Sequence, residues 1–157
     1  MRSLVQMGLV LDFWPQEHFR SENSAGLGLI VRDSFRECFL RNPQKVEYIP
    51  PCEIRGLQPR IDDPADDEIF QLLGEKTKFQ LPHLFHLLAS EPKECERAVL
   101  KNAANFFFIP TPDGTRRVYA IYVEEEKKWR LGANRINTAW HCRSIDQVFA
   151  YTSMTPR

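Results

Sequence analysis

Residues 105–142 read NFFFIPTPDGTRRVYAIYVEEEKKWRLGANRINTAWHC, and turn chemistry divides this stretch into consecutive β-strands. Pro112 presets φ, Asp113 supplies a local side-chain acceptor, and Gly114 is free to take positive φ. Together they let the chain reverse between NFFFIP and RRVYAIYV. A second reversal falls at Glu124 to Lys128, before WRLGA, and INTAWHC follows as a further strand. The stretch is a β-meander: it specifies a sheet, and it specifies no reaction.

Within the meander, Val118, Ala120 and Tyr122 alternate with Tyr119, Ile121 and Val123. Both faces of this strand are apolar, so it is expected to be central and covered on both sides. Trp129, Leu131 and Ala133 alternate with Lys128, Arg130 and Gly132, and Ile136, Thr138, Trp140 and Cys142 oppose Asn137, Ala139 and His141. These two strands each have one wet face.

Upstream, the segments 4–13 and 27–31 are short and rich in Leu, Val and Ile. They read as strands, separated by turn-like polar residues at 15–26. Ser34-Phe35-Arg36-Glu37 matches a capping box and predicts a short helix to about Arg41, which buries Phe35, Cys38 and Phe39 and stops at Asn42-Pro43. Residues 48–64 hold four prolines and read as a connector with at most one strand, around Cys52 to Ile54. Asp63-Pro64, the acids after them and Gly74 bound a central helix. A second helix is expected over Leu81 to Ala89, with Leu81, Leu84, Phe85 and Leu88 on one side, and a third after Pro92, with Cys95, Ala98 and Val99 as its stripe. From Ser144 the tail reads as a capped short helix or, over Val148 to Tyr151, as an edge strand. The expected fold is one α+β domain over 1–157, an antiparallel sheet made of the C-terminal meander plus the N-terminal strands, covered on one face by about three to four helices.

The bulk numbers fit one domain of 157 residues. Hydrophobic residues at 43% and charged residues at 27% exclude a disordered or fibrous chain. Lys plus Arg and Asp plus Glu are 21 each, so no global field recruits nucleic acid or an anionic membrane. Cys38, Cys52, Cys95 and Cys142 form no CxxC pair and read as free thiols in a reducing, cytoplasmic compartment. Gln6 and Gly8 interrupt the apolar run from Leu4 to Leu11, Asp12 ends it, and no small-residue cleavage site follows, which argues against a signal peptide. No segment approaches the ~20 apolar residues of a membrane span.

His83 and His86, three apart on the expected helix, are the candidate metal ligands, although Leu84 and Phe85 stand where an acidic residue would complete a known helical zinc motif. His141 and Cys142 are adjacent on a strand, so their side chains point to opposite faces and do not make a nucleophile pair. Asp62, Asp63, Asp66, Asp67 and Glu68 lack calcium-loop spacing and read as helix-start electrostatics. Arg116, Arg117, Lys127, Lys128, Arg130 and Arg135, with Trp129 and Tyr119, interleave bases and rings as a single-strand nucleic-acid platform does, but Glu124, Glu125 and Glu126 offset them. Gly26-Leu27-Gly28 runs into a strand and lacks the context of a phosphate loop.

Eleven Phe, four Tyr and three Trp exceed what a minimal core requires. The expectation is a non-catalytic module that binds a protein partner or a small apolar or anionic ligand through a sheet face or cleft. The cleft would be lined by Tyr122, Trp129, Trp140 and Phe149, with Arg130 and Arg135 at its mouth and His141 among the binding residues. No cofactor, nucleic acid or membrane is expected, and exposed strand edges would allow a homodimer. The alternatives are a metal-dependent or acid-base enzyme using His83 and His86, and a single-strand nucleic-acid binder using the basic hairpin.

Overall fold

Pro50 and Pro51 have no backbone N–H, so a β-ladder that reaches them must break. β1 (Ser3–Met7) pairs antiparallel with β5 (Cys52–Leu57), from Ser3 opposite Gly56 to Met7 opposite Cys52. β2 (Val10–Phe13) pairs with β4 (Val46–Ile49) in the same unbroken register, from Val10 opposite Ile49 to Phe13 opposite Val46. One antiparallel ribbon is therefore cut in two where Gly8 and Leu9 face the prolines, and the strand read over 4–13 becomes two. Beyond the cut, Asp12 sits at φ 52°. Asp tolerates this left-handed conformation better than most residues, and it upsets the alternation so that Phe13 turns inward while Leu11 stays outside.

The computed structural model describes residues 3–23, 25–41, 45–59, 65, 68–69, 79–89, 101–136 and 146–153, with the side chains of 3–6 and 150–153 outside the description. The other elements are α1 (Pro15–His18), β3 (Leu29–Val31), α2 (Asp33–Phe39), α3 (Leu81–Ala89), β6 (Asn105–Thr111), β7 (Gly114–Val123), β8 (Lys128–Arg135) and β9 (Gln147–Ser153). Seven strands form one sheet in the order β1-β5-β9-β6-β7-β8-β3, and β2-β4 is the detached ribbon.

The meander forms as read: β6, β7 and β8 are antiparallel neighbours, reversed at Pro112-Asp113 with Gly114 at φ 110°. The antiparallel expectation for the whole sheet is corrected, because β3 pairs parallel to β8 and β9 pairs parallel to β6. The tail strand is also not at an edge. β9 is inserted between β5 and β6, and Val148 and Phe149, adjacent and so on opposite faces, are both buried. At the start of that strand the Ala104 N–H donates to Asp146 Oδ1 at 2.9 Å and the Gln147 N–H to the Ala104 carbonyl at 3.0 Å, which pins β9 to the head of β6.

The main core lies on one face of the sheet. Cys52, Ile54, Phe107, Ile109, Val118, Ala120, Trp129, Leu131 and Phe149 meet Phe35 and Phe39 of α2 and Leu84, Leu87 and Leu88 of α3. A smaller cluster of Ile69, Phe106, Phe108 and Val148 occupies the other face. Three helices are delimited among the described residues, α1 being a single turn, and Glu68 and Ile69 are helical as well. Of the helix expected from Asp63 to Gly74 only Ala65, Glu68 and Ile69 are described. The helix after Pro92 and the strand from Ile136 to Cys142 lie outside the described residues, Ile136 itself excepted.

Two helix starts are built differently from the simple pattern. Ser34 does not cap α2, whose N-cap is Arg32 with no side-chain cap bond; its hydroxyl instead accepts the Ala133 N–H at 3.1 Å and ties α2 to β8. At α3, the boundaries match the expectation, and the Gln80 N–H donates to His83 Nδ1 at 2.9 Å. His83, in the first turn, thus accepts the backbone donor that a Glu or Gln accepts in a capping box.

Candidate functional site

Nine of the eleven phenylalanines are buried, so most of the aromatic excess builds core. Trp129 and Phe149 are 5% and 2% exposed and belong to that core. Trp129 meets Tyr122 edge-on, with ring centroids 5.2 Å apart, and Phe149 stacks on Phe107 at 4.9 Å. Phe149, Phe107, Val118 and Ala133 form one cross-strand row, and Trp129 is four residues further along β8, so Phe149 and Trp129 are three strand spacings across the sheet and about 13 Å along it, roughly 19 Å apart. The two rings therefore do not converge on one pocket. Arg130 points to the opposite face from Trp129, while Arg135 shares Trp129's face at the exposed end of β8. Trp140 and His141 lie outside the described residues.

Of the histidine pair, His83 is placed as a helix cap. His83 is 1% exposed, and its Nδ1 lone pair is committed to the Gln80 N–H, which fixes the neutral ring as the Nε2–H tautomer. A metal on Nε2 would move the proton to Nδ1 and abolish the cap. Burial, and then the charge of His86, push the His83 pKa down from 6.5 to about 4. Among the described residues no group of three or more His, Cys, Asp or Glu is arranged to hold a metal ion. Cys38 and Cys52 are free thiols, and burial raises the Cys52 pKa to about 11, away from nucleophilic use. Cys95 and Cys142 lie outside the described residues.

The basic hairpin is dispersed by the sheet. Arg117 is 1% exposed on the face opposite Val118. Arg116 and Arg135 face each other across the far end of β7 and β8, and Lys127 and Lys128 sit at the other end beside Glu124, Glu125 and Glu126. Among the described residues, the cations of the hairpin form no continuous track on either face.

Exposed apolar surface is concentrated elsewhere. Of the five exposed large hydrophobic side chains among the described residues, Leu9 (53%), Leu11 (60%), Trp14 (43%) and Tyr48 (58%) lie on or beside the β2-β4 ribbon. Leu11 and Tyr48 are direct cross-strand partners and share a face, and Leu9, two residues before Leu11, continues it. Lys45 Nζ stands 5.7 Å over the Trp14 ring and 3.3 Å from Asp12 Oδ1, which fixes one rim of the patch. Glu47, adjacent to Tyr48 in β4, is exposed but projects from the opposite face of the ribbon. The inward side is anchored: Phe13 stacks on His18 with centroids 4.0 Å apart and meets Phe19 and Phe85 edge-on. The outer face thus rides on a rigid base.

No helix among the described residues is long and apolar enough to cross a membrane. No family model, curated protein or solved structure matches the chain.

Sequence reasoning missed the ribbon residues because Leu9-Val10-Leu11 is a continuous apolar run, which reads as fully buried. The available signal was Pro50-Pro51, two residues that cannot extend a sheet and so release whatever strand faces them.

Proposed function

We propose that the chain is a non-catalytic binding module that engages a protein partner through the outer face of the β2-β4 ribbon. The observation that carries the reading is the exposure of four large apolar side chains, Leu11 and Tyr48 paired across the two-stranded ribbon and Leu9 and Trp14 flanking its first strand. Clustered exposed hydrophobic side chains with a polar rim mark protein-interaction surfaces, and Trp and Tyr are the residues that dominate such contacts. Asp12 and Lys45 pair at 3.3 Å beside Trp14, so this rim is polar without net charge. The partner therefore presents an apolar patch to Leu11 and Tyr48.

A photo-crosslinking residue at position 11, introduced in the full chain in cells, tests this. The expected result is a discrete adduct that is lost with Tyr48→Asp and that does not form from a control position at Glu125. Adducts indistinguishable from the Glu125 control would refute the ribbon as a docking face. An adduct of twice the chain mass would identify a second copy as the occupant and refute the heterologous partner.

A further inference from the structure

β3 is the last strand of the seven-stranded sheet, and its parallel pairing with β8 fixes which of its backbone groups are used. The Trp129 N–H donates to the Gly28 carbonyl at 2.9 Å, and the Arg32 N–H donates to the Leu131 carbonyl at 2.9 Å. Alternate residues of a strand turn their N–H and C=O groups to opposite sides, so Gly28, Ile30 and Arg32 face β8 while Leu29 and Val31 face the open edge. Arg36 bears this out, because its Nη2 donates to the Val31 carbonyl at 3.3 Å. The Leu29 N–H, the Leu29 carbonyl and the Val31 N–H meet no hydrogen-bond partner among the described residues. Leu29 is 3% exposed, and a buried backbone donor without an acceptor is rare in a folded chain.

A cleft of about 450 Å³ opens beside this edge, bounded by Phe19 and Arg20 after α1, Leu29 and Val31 of β3, and Arg36 and Leu40 at α2. Its volume lies in the range of ligand sites. Gln16 Nε2 donates to the Leu40 carbonyl at 3.2 Å, which ties the α1 wall to the end of α2. Arg36 is spent on Asp33, at 2.9 Å, whereas the exposed guanidinium of Arg20 has no ion-pair or hydrogen-bond partner among the described residues. The outward N–H groups of residues 29 and 31 are two strand rises apart, about 6.6 Å. A single carboxylate or phosphate group is too small to span that distance, but alternate carbonyls of an extended chain recur at the same interval. The charge left over at Arg20 calls for an acidic occupant.

We propose that the open edge of β3 binds an extended peptide segment of a partner protein, which pairs with Leu29 and Val31 as an added strand and presents a carboxylate to Arg20. Main-chain hydrogen bonds hold such a segment, and the side-chain contact selects it. The site shares no residue with the ribbon face, so the two contacts are separable.

The test selects random heptapeptides displayed on phage against the immobilised full chain, then titrates the enriched sequences, as synthetic peptides, by calorimetry. Enriched sequences containing Asp or Glu are expected. Val31→Pro removes the outward N–H and leaves the Ile30 bonds to β8 in place, as an edge strand allows. It should weaken binding by roughly 10-fold or more, as should Arg20→Ala, which serves if the proline variant does not fold. Tyr48→Asp, on the ribbon, should leave binding unchanged. The proposal fails if no sequence is enriched, or if the enriched peptides bind both edge variants as they bind wild type. Loss with Arg20→Ala but not with a folded Val31→Pro variant would overturn the strand pairing, and loss with Tyr48→Asp alone would place the peptides on the ribbon instead.

Discussion

Trp129→Ala is expected to lower the unfolding free energy by about 3–5 kcal/mol, the usual cost of removing a large aromatic side chain from a packed core. The reason is the position of β8 between β7 and β3. The parallel pairing sets Leu29 beside Trp129, the Trp129 N–H donates to the Gly28 carbonyl at 2.9 Å, and Tyr122 covers the ring from the next strand. Only a few per cent of the residue stays in water, and neighbours held by backbone ladders on both sides cannot collapse into the space it would leave. Arg130→Ala, one residue on but on the other face, should change stability by no more than about 0.5 kcal/mol. Denaturant unfolding measures both. A loss below about 1 kcal/mol for Trp129→Ala would place the ring at an open wall, as a ligand cleft requires.

The second large effect depends on pH. In the unfolded chain His83 titrates near 6.5, and in the folded chain burial, aided by His86, holds it at about 4. Between these values the unfolded chain binds the extra proton, so the contribution of His83 to stability is complete above pH 6.5, falls as the pH drops through that window, and has reached its full loss below about 4. The shift corresponds to a loss on the order of 3 kcal/mol. Protonation also removes the Nδ1 lone pair that accepts the Gln80 N–H, so the first turn of α3 should loosen first. His83→Asn offers an acceptor without the titration. It should start lower at neutral pH for lost packing, and its stability should then decline less steeply than wild type down to pH 4. Parallel curves for the two proteins would remove His83 as the acid-sensitive group.

Much of the frame was legible because it is encoded locally. Pro112-Asp113-Gly114 turns the chain within four residues, the alternation from Val118 to Val123 sets a strand, and the apolar spacing from Leu81 to Leu88 sets a helix. These signals live in neighbouring residues. The parallel pairings of β3 with β8 and of β9 with β6 join segments about 100 and about 40 residues apart, and nothing in a short apolar run such as Val148-Phe149 states which partner it takes. Position 34 misled for a related reason: Ser34 fits a cap by local spacing, yet Ala133, distant in sequence, claims its hydroxyl.

The sites divide in the same way. Arg135 was legible as a surface cation, but the face it shares with Arg116 depends on the β7-β8 register, which pairs them directly. Trp129 and Phe149 were read as cleft walls from their size, and the fold spends them on the core. His83 carried no sign of its capping role, because a histidine accepting a backbone donor is rare in a motif usually built with Glu or Gln. The ribbon patch needed the prolines at 50 and 51 to be aligned against Gly8 and Leu9, a register that becomes visible only once β1 is paired with β5.

Unfolding of the Leu11→Ser/Tyr48→Ser double variant, compared with wild type in the same denaturant series, bears most directly on whether the ribbon face is surface held for a partner. A face kept for docking does no packing within the fold, so the midpoint should correspond to a change of no more than about 0.5 kcal/mol per site, with an unchanged slope. A loss of about 3 kcal/mol or more would mean that Leu11 and Tyr48 hold the chain's own structure together, contradicting their assignment to a partner.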